Sequence, residues 1–535
     1  MRFVAFFCAC ASLFAQSGAL RIGRETQLFL DDFSVDRMTG LERRLHQAVK
    51  RGPILDEQGG PFGVGGVYMG NIVYRDAKGR FHMLYRYPWD DPSVASLHPS
   101  IGQDKAHWFR ESVAYATSED GIRWKKPVLG LVEGPASFRK EGPYTVAASV
   151  SKKNNLGVPI DFMYDLNAHG NVADPNKHFL LRISRKDDTH PFAKVIESGL
   201  YFAKDWPDFA GNPDWRSKLE PIPDGKLSPR GFLTLAGYDE QARVWFQVCQ
   251  GRVGDWSKRE GREIVRYESP DLVHWSGPEV VLPIQPDESK EPGDYVEYMN
   301  LDAYRVGGPK TGAWLGQLLI FRSDRTNRQY RMPRSFTVWR KGLTELRLVM
   351  SRDAGKTWQR VGGKQVWMTH GNEEHGYDRL VFGHYPIRVG DELWMYFSAW
   401  NGDHLAYNYD GSLYYKEGFL RTVTTARATW RWDGYMSLDA GARGGELVTK
   451  PLVFDGTGLA VNFEARGGEL RAELQDAVGK AIPGYSSADC VPVRGDGVAL
   501  DVRWRGHDDV GSLAGKTVRA VFRFKDGSLY SYQFR

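Results

Sequence analysis

The sequence predicts an all-β protein, a five-bladed β-propeller followed by a C-terminal β-sandwich. The first observation behind this is a motif that occurs three times: Ser118-Glu119-Asp120-Gly121-Ile122-Arg123-Trp124, Ser269-Pro270-Asp271-Leu272-Val273-His274-Trp275 and Ser351-Arg352-Asp353-Ala354-Gly355-Lys356-Thr357-Trp358. Each copy follows a β-prone run and reads as a tight turn closed by Ser and Asp side chains, with a Trp opening the next strand. The spacing of the Trp anchors gives a unit of about 75–80 residues, four strands with long loops, if one unit is skipped between the first two copies. Residues 60–439 then hold five blades; an array of β-sandwiches is the competing arrangement. The second observation is a change beyond Gly441, where Leu459–Ala465, Glu469–Leu474, Val498–Trp504 and Val518–Phe524 alternate apolar and polar at period two between Gly- and Asp-bearing turns.

Taken in order, residues 1–19 read as a signal peptide: Arg2, a short apolar run, then small residues at Ala15 and Ser17-Gly18-Ala19. The run is too short to span a bilayer, and no other segment is a transmembrane candidate, so a secreted or periplasmic protein is expected. Residues 20–440 are assigned to the propeller and 441–535 to the sandwich. The β-prone Thr26–Val35 segment is expected to help close the propeller. The first blade runs through Val67–Tyr74, a turn at Asp76–Gly79 and Phe81–Arg86. Hairpins recur at Phe232–Val248 and Val381–Phe397, and the second blade centres on Phe179–Ser184.

Removal of residues 1–19 takes Cys8 and Cys10 and leaves Cys249 and Cys490 in different domains, which argues against a disulfide framework or a cysteine zinc site. The 71 basic and 66 acidic residues are interspersed and leave a net charge of only +5, so nucleic acid is not an expected partner. Aromatics make up 13% of the chain, with 17 Trp and 25 Tyr, more than core filling usually needs. Their rings stack on sugar faces and hydrogen-bond at their edges, so carbohydrate is the expected partner. No cofactor and no metal is expected, and a monomer is the default state.

Several stretches resemble the five-bladed propeller glycoside hydrolases related to invertase, levanase and the arabinanases, and more specifically the secreted group labelled glycosyl hydrolase family 32 N-terminal domain-like. They are Leu28–Phe33, Tyr377–Phe382, Val389–Tyr396, Asp433–Gly441, and Leu470–Ala477 through Gly484-Tyr485-Ser486 and Asp489-Cys490. The resemblance implies a glycan-active enzyme. The chain has no Asn-Asp-Pro-Asn-Gly, Arg-Asp-Pro or Glu-Cys stretch, so the invertase catalytic residues do not carry over. The Trp motifs separately resemble the Asp-boxes of sialidases, which implies a scaffold role for Asp120, Asp271 and Asp353.

Glycoside hydrolysis needs a proton donor and a second carboxylate, about 5 Å apart for retention or ~6.5–9.5 Å for inversion. In a propeller such acids belong at the start of innermost strands, where blades converge on the channel. Asp378 precedes an innermost strand of the fifth blade and matches an acid of the resembling group, so it is the first catalytic candidate; a cap on loop amides is its structural alternative. Glu297, with Asp302 behind it, opens the fourth blade, as a catalytic acid or as a hydrogen-bonded acid of the strand. Simple alternation puts Glu297 on one face and Asn300 and Asp302 on the other. Tyr68, Asn71, Glu374, His375, His384 and Trp400 are candidate substrate contacts. The function expected is hydrolysis of a poly- or oligosaccharide by paired carboxylates; the alternative is a non-catalytic carbohydrate-binding or adhesion propeller.

Overall fold

The computed structural model describes residues 18–56, 72–90, 109–125, 146–148, 160–165, 177, 179–187, 194–205, 215–226, 235–251, 261–288, 295–323, 343–368, 380–383, 386–400, 423–507 and 509–535. They fall into two compact units. Leu45–Tyr435 forms one, and the residues up to Arg44 join Met436–Arg535 in the other.

The first unit is a five-bladed β-propeller made of five antiparallel sheets taken in turn. Blade one is Ile72–Arg75, Phe81–Asp90, Phe109–Ser118 and Val146–Ala148. Blade two is Ile160–Asp165, Phe179–Asp187, Lys194–Ala203 and Leu219–Ile222. Blade three is Leu235–Asp239, Val244–Gly251, Glu263–Ser269 and Ser276–Leu282. Blade four is Tyr295–Val306, Ala313–Ser323, Leu343–Ser351 and Gln359–Val361. Blade five comprises Leu380–Gly383, Ile387–Val389, Glu392–Trp400 and Val423–Arg431, and its outer strand is Val49–Asp56 from the other end of the unit.

That last pairing corrects the expected closure. Val49–Asp56 completes the ring, whereas the Thr26–Val35 segment belongs to the second unit, together with residues 20–44 that were assigned to the propeller. The reason is pairing and burial: Leu20–Gly23 runs parallel to Leu452–Phe454, Gln27–Leu28 pairs with Ser531 and Tyr532, and Val35–Thr39 pairs with Gly445–Thr449. Ile22, Phe29 and Val35 are buried in the same apolar cluster as Leu447, Leu452, Phe522 and Tyr532. Ten strands of this unit form one hydrogen-bonded sheet. Its long strands Leu459–Asp476 and Thr517–Phe534 alternate as the sequence implied, with Val518, Ala520 and Phe522 buried. A register shift between Ala465 and Glu469 breaks their ladder at Gly467, whose φ of +94° suits glycine.

The three Ser-x-Asp turns hold the blades together. In the first, Ser118 Oγ accepts the Gly121 amide at 2.8 Å and Asp120 Oδ1 accepts those of Ile122 and Arg123 at 2.9 and 2.8 Å. Those backbone bonds, from Arg123 and then Ile122, hold the Asp120 carboxyl well below the usual carboxylate range. Asp271 and Asp353 close their turns in the same way, on Val273 and His274 and on Thr357. Each turn docks on the preceding blade. Leu272 of blade three lies among Leu180, Leu200 and Phe202 of blade two, and the Ala354 carbonyl of blade four accepts Arg266 Nε of blade three at 3.3 Å. At the ring seam Phe81 of blade one stacks on Trp394 of blade five, 5.9 Å between centroids.

Candidate functional site

Tyr68, Asn71, Glu374, His375, Asp378 and His384 lie outside the described residues. Trp400 ends the Glu392–Trp400 strand, its backbone paired with Leu380 on one side and Val423 on the other. The described part of the candidate site is therefore the innermost strand of blade four, Tyr295–Val306.

Glu297 is 4% exposed and sits two residues inside this strand. Both carboxylate oxygens are engaged: Arg262 Nη2 donates to Oε1 and the Tyr295 hydroxyl to Oε2. Tyr295 reaches Glu297 because residues i and i+2 of a strand share a face. Arg262 comes from blade three, just before Glu263–Ser269, and its carbonyl accepts the Tyr298 amide at 2.9 Å. That crossing needs the preceding glycine, since a Cβ on Gly261 would overlap the Val296 carbonyl oxygen.

The strand does not alternate simply. Glu297 faces Phe321, Tyr298 faces Ile320, and then Asn300 faces Leu319 and Asp302 faces Gln317, so Met299 is an extra residue in a β-bulge. Phe321, Leu319 and Gln317 share a face of their strand, which puts Glu297 in phase with Asn300 and Asp302. This corrects the opposite-face expectation: the inserted residue absorbs one step of the alternation. Four ladder steps still separate the two acids, about 13 Å along the strand, which exceeds either glycosidase spacing. Asp302 is itself buried and accepts Asn300 Nδ2 at 3.1 Å.

The opposite face of the same blade carries a charge cluster that the sequence did not reveal. Glu288, in the short turn Pro286–Glu288 between blades three and four, is ringed by Arg322, Arg347 and Arg360. Arg347 also pairs with Glu345 at 2.7 Å and Arg360 with Asp287 at 2.8 Å. Burial pushes the Glu288 carboxyl up, and the hydrogen bond from Arg322 with the charges of Arg347, Arg322 and Arg360 outweighs it, leaving the group below its ordinary value. Tyr298 links the cluster to the strand, its hydroxyl 3.3 Å from Glu288 Oε1. With every arginine matched by a carboxylate, the cluster ties the interblade turn to blade four.

Among the described residues no three His, Cys, Asp or Glu side chains converge as a metal-binding group, and no helix is long and apolar enough to cross a membrane.

No family model matches the chain, and no curated protein matches it. Solved structures do. A glycoside hydrolase is similar over 72% of this chain and 92% of its own, at 12% identity and a TM-score of 0.39. A β-1,2-mannobiose phosphorylase from Listeria innocua is similar over 72% of this chain and 96% of its own, at 12% identity and a TM-score of 0.38. A sucrose-6-phosphate hydrolase from Lactobacillus gasseri is similar over 91% of this chain and 93% of its own, at 10% identity and a TM-score of 0.32.

Proposed function

We propose that this protein is a secreted glycoside hydrolase that cleaves a poly- or oligosaccharide with paired carboxylates at the mouth of the propeller channel. Glu297 of blade four is one member of the pair and Asp378, two residues before Leu380–Gly383 in sequence, the other. The observation that carries the reading is Glu297: a buried carboxylate at the start of an innermost strand, oriented by an arginine from the neighbouring blade and a tyrosine from its own. A rigidly held acid at the convergence of blades is what acid–base cleavage of a glycosidic bond requires. Asp302 then belongs to the strand's own hydrogen bonding. The ten-stranded unit is read as an accessory β-sandwich.

One observation favours a second reading, a carbohydrate-binding propeller without turnover. Both oxygens of Glu297 already have partners, which suits a carboxylate that shapes a site as well as one that reacts in it. Reducing-sugar release from a panel of plant, algal and microbial glycans separates the two, using the chain from about residue 20 with Asp378→Asn and Glu297→Gln alongside. Release that falls about 10²-fold or more in both variants supports the hydrolase. Binding of a glycan without release from it supports the second reading.

A further inference from the structure

We propose that Arg262 is the ligand-facing group beside Glu297 and that it reads an anionic substituent of the sugar, a uronate carboxylate or a sulfate ester, so that the glycan is an acidic one. This rests on the glycoside hydrolase reading and names a substrate class for the same site.

Glu297 lies behind its two donors. Its side chain is 5% exposed, with Oε1 taken by Arg262 and Oε2 by Tyr295. Arg262 is 31% exposed and Tyr295 half-buried, so a ligand arriving at the start of this strand meets the guanidinium and the phenol before the carboxylate. Among the described residues Glu297 is the side-chain partner of Arg262, through Nη2 alone. A guanidinium carries five N–H donors in a fixed fork and no acceptor, so most of the fork is unmatched among the described residues. Blade four supplies the contrast. Arg322 commits all three nitrogens, to Glu345 Oε1, the Glu288 carbonyl and Glu288 Oε2, as an arginine that only ties structure together does.

The fork is also held in place before any ligand arrives. The Arg262 carbonyl accepts the Tyr298 amide at 2.9 Å. Its backbone lies so close to the innermost strand of blade four that a Cβ on Gly261 would fall 1.8 Å from the Val296 carbonyl oxygen. The backbone is thus pinned at one end and the guanidinium at the other, by Glu297. Donors fixed in this way lose little entropy on binding.

Sugar hydroxyls both donate and accept, and a mixed set of groups reads them best. With the Glu297 oxygens taken, the site offers mainly donors. Paired anionic oxygens suit a planar fork, and hydrogen bonds to a charged acceptor are about twice as strong as those to a neutral one.

The experiment is titration calorimetry on the chain from about residue 20, comparing wild type with Arg262→Gln and Arg262→Lys. Salt at about 0.15 M screens the general attraction of a chain of net charge +5 for anions. The probes are short oligosaccharides: oligogalacturonate and oligoalginate with carboxylates, sulfated oligogalactan with sulfate esters, and unsubstituted oligogalactan and methyl-esterified oligogalacturonate with neither. Wild type is expected to bind at least one acidic probe about 10–100-fold more tightly than the neutral ones, and Arg262→Gln to lose that margin. Whether carboxylate or sulfate is bound names the source of the charge. Arg262→Lys keeps a cation beside the buried Glu297, which guards against misfolding, and lacks the fork; it is expected to weaken acidic binding about 10-fold. Binding of neutral probes alone, of no probe, or equally tight acidic binding in both variants would overturn the proposal. Cleavage of neutral glycans without acidic binding would overturn it and leave the hydrolase reading standing. Acidic binding that depends on Arg262, with no glycan cleaved, would overturn the hydrolase reading and leave the role of Arg262 standing.

Discussion

The hydroxyl of Tyr396 donates to the carbonyl oxygen of Gly121 at 2.9 Å, so the fifth blade is bonded to the Ser-x-Asp turn of the first where the ring closes. The contact is buried, and burial pushes the phenol well above its ordinary range. Tyr396→Phe leaves the Gly121 carbonyl without this donor and is expected to cost about 1–3 kcal/mol. Gly121→Ala is expected to cost more. Its φ is +70°, and an added Cβ would lie 2.6 Å from Tyr396 Oη and 2.9 Å from the Trp394 ring. Urea midpoints measure both; a smaller loss for Gly121→Ala than for Tyr396→Phe would refute this account of the seam.

Glu288 is matched by three arginines and its side chain is 1% exposed. Glu288→Gln keeps the shape and removes the charge, leaving Arg322 and Arg347 to share Glu345 as their remaining carboxylate. A loss of about 3–5 kcal/mol is expected. Asp287, which is half exposed and pairs with Arg360 and Lys364, serves as the control, and Asp287→Asn should change the unfolding midpoint little. Equal effects from the two substitutions would contradict the cluster's assignment as a buried tie.

Burial pushes the Asp433 carboxyl up to about 7, against the opposing charge of Arg388. A folded-state value above the unfolded one means that the folded protein holds the proton more tightly. The stability this gives is fully present below the unfolded value, about pH 4, and is lost as pH rises to about 7. Asp433→Asn keeps a residue suited to the local φ of +55° and removes the titration. Thermal unfolding across this window should show wild type losing on the order of a few kcal/mol relative to the variant. Parallel curves would show that Asp433 titrates alike in both states.

Cys249 and Cys490 are buried and free, and burial pushes the Cys249 thiol up to about 12 and the Cys490 thiol upward as well. Thiolate, the reactive form, is therefore scarce. In the chain from about residue 20 neither should react with an aromatic disulfide reagent at neutral pH until denaturant unfolds it. Fast labelling of the native protein would contradict the burial of these two side chains.

What the sequence made legible was local. The turns at Ser118, Ser269 and Ser351 could be read because a Ser and an Asp two residues later satisfy the amides of their own turn, and the skipped unit between the first two copies is blade two. Hairpins such as Leu235–Asp239 with Val244–Gly251 were equally plain. What stayed hidden depends on distant chain. A single inserted Met299 reverses the face assigned to Glu297, and no composition marks it as a bulge. Arg262 gives no sign of its partner, because a glycine and one backbone bond bring it there. The N-terminal strands look like any other β-prone segment until Ile22 and Phe29 are seen buried with Phe522 and Tyr532.

Closure by Val49–Asp56 sets an order on synthesis. Arg51 bonds Thr429 across 378 residues of sequence, at 3.1 Å. At about 5–20 residues per second a ribosome needs on the order of tens of seconds to make the intervening chain. For that time the nascent strand has no ladder to join, and an open strand edge invites pairing with other chains. Its own composition answers this: Lys50, Arg51 and Pro53 are the residue types that discourage such pairing. The strand that finishes the ring is thus one that can wait without aggregating.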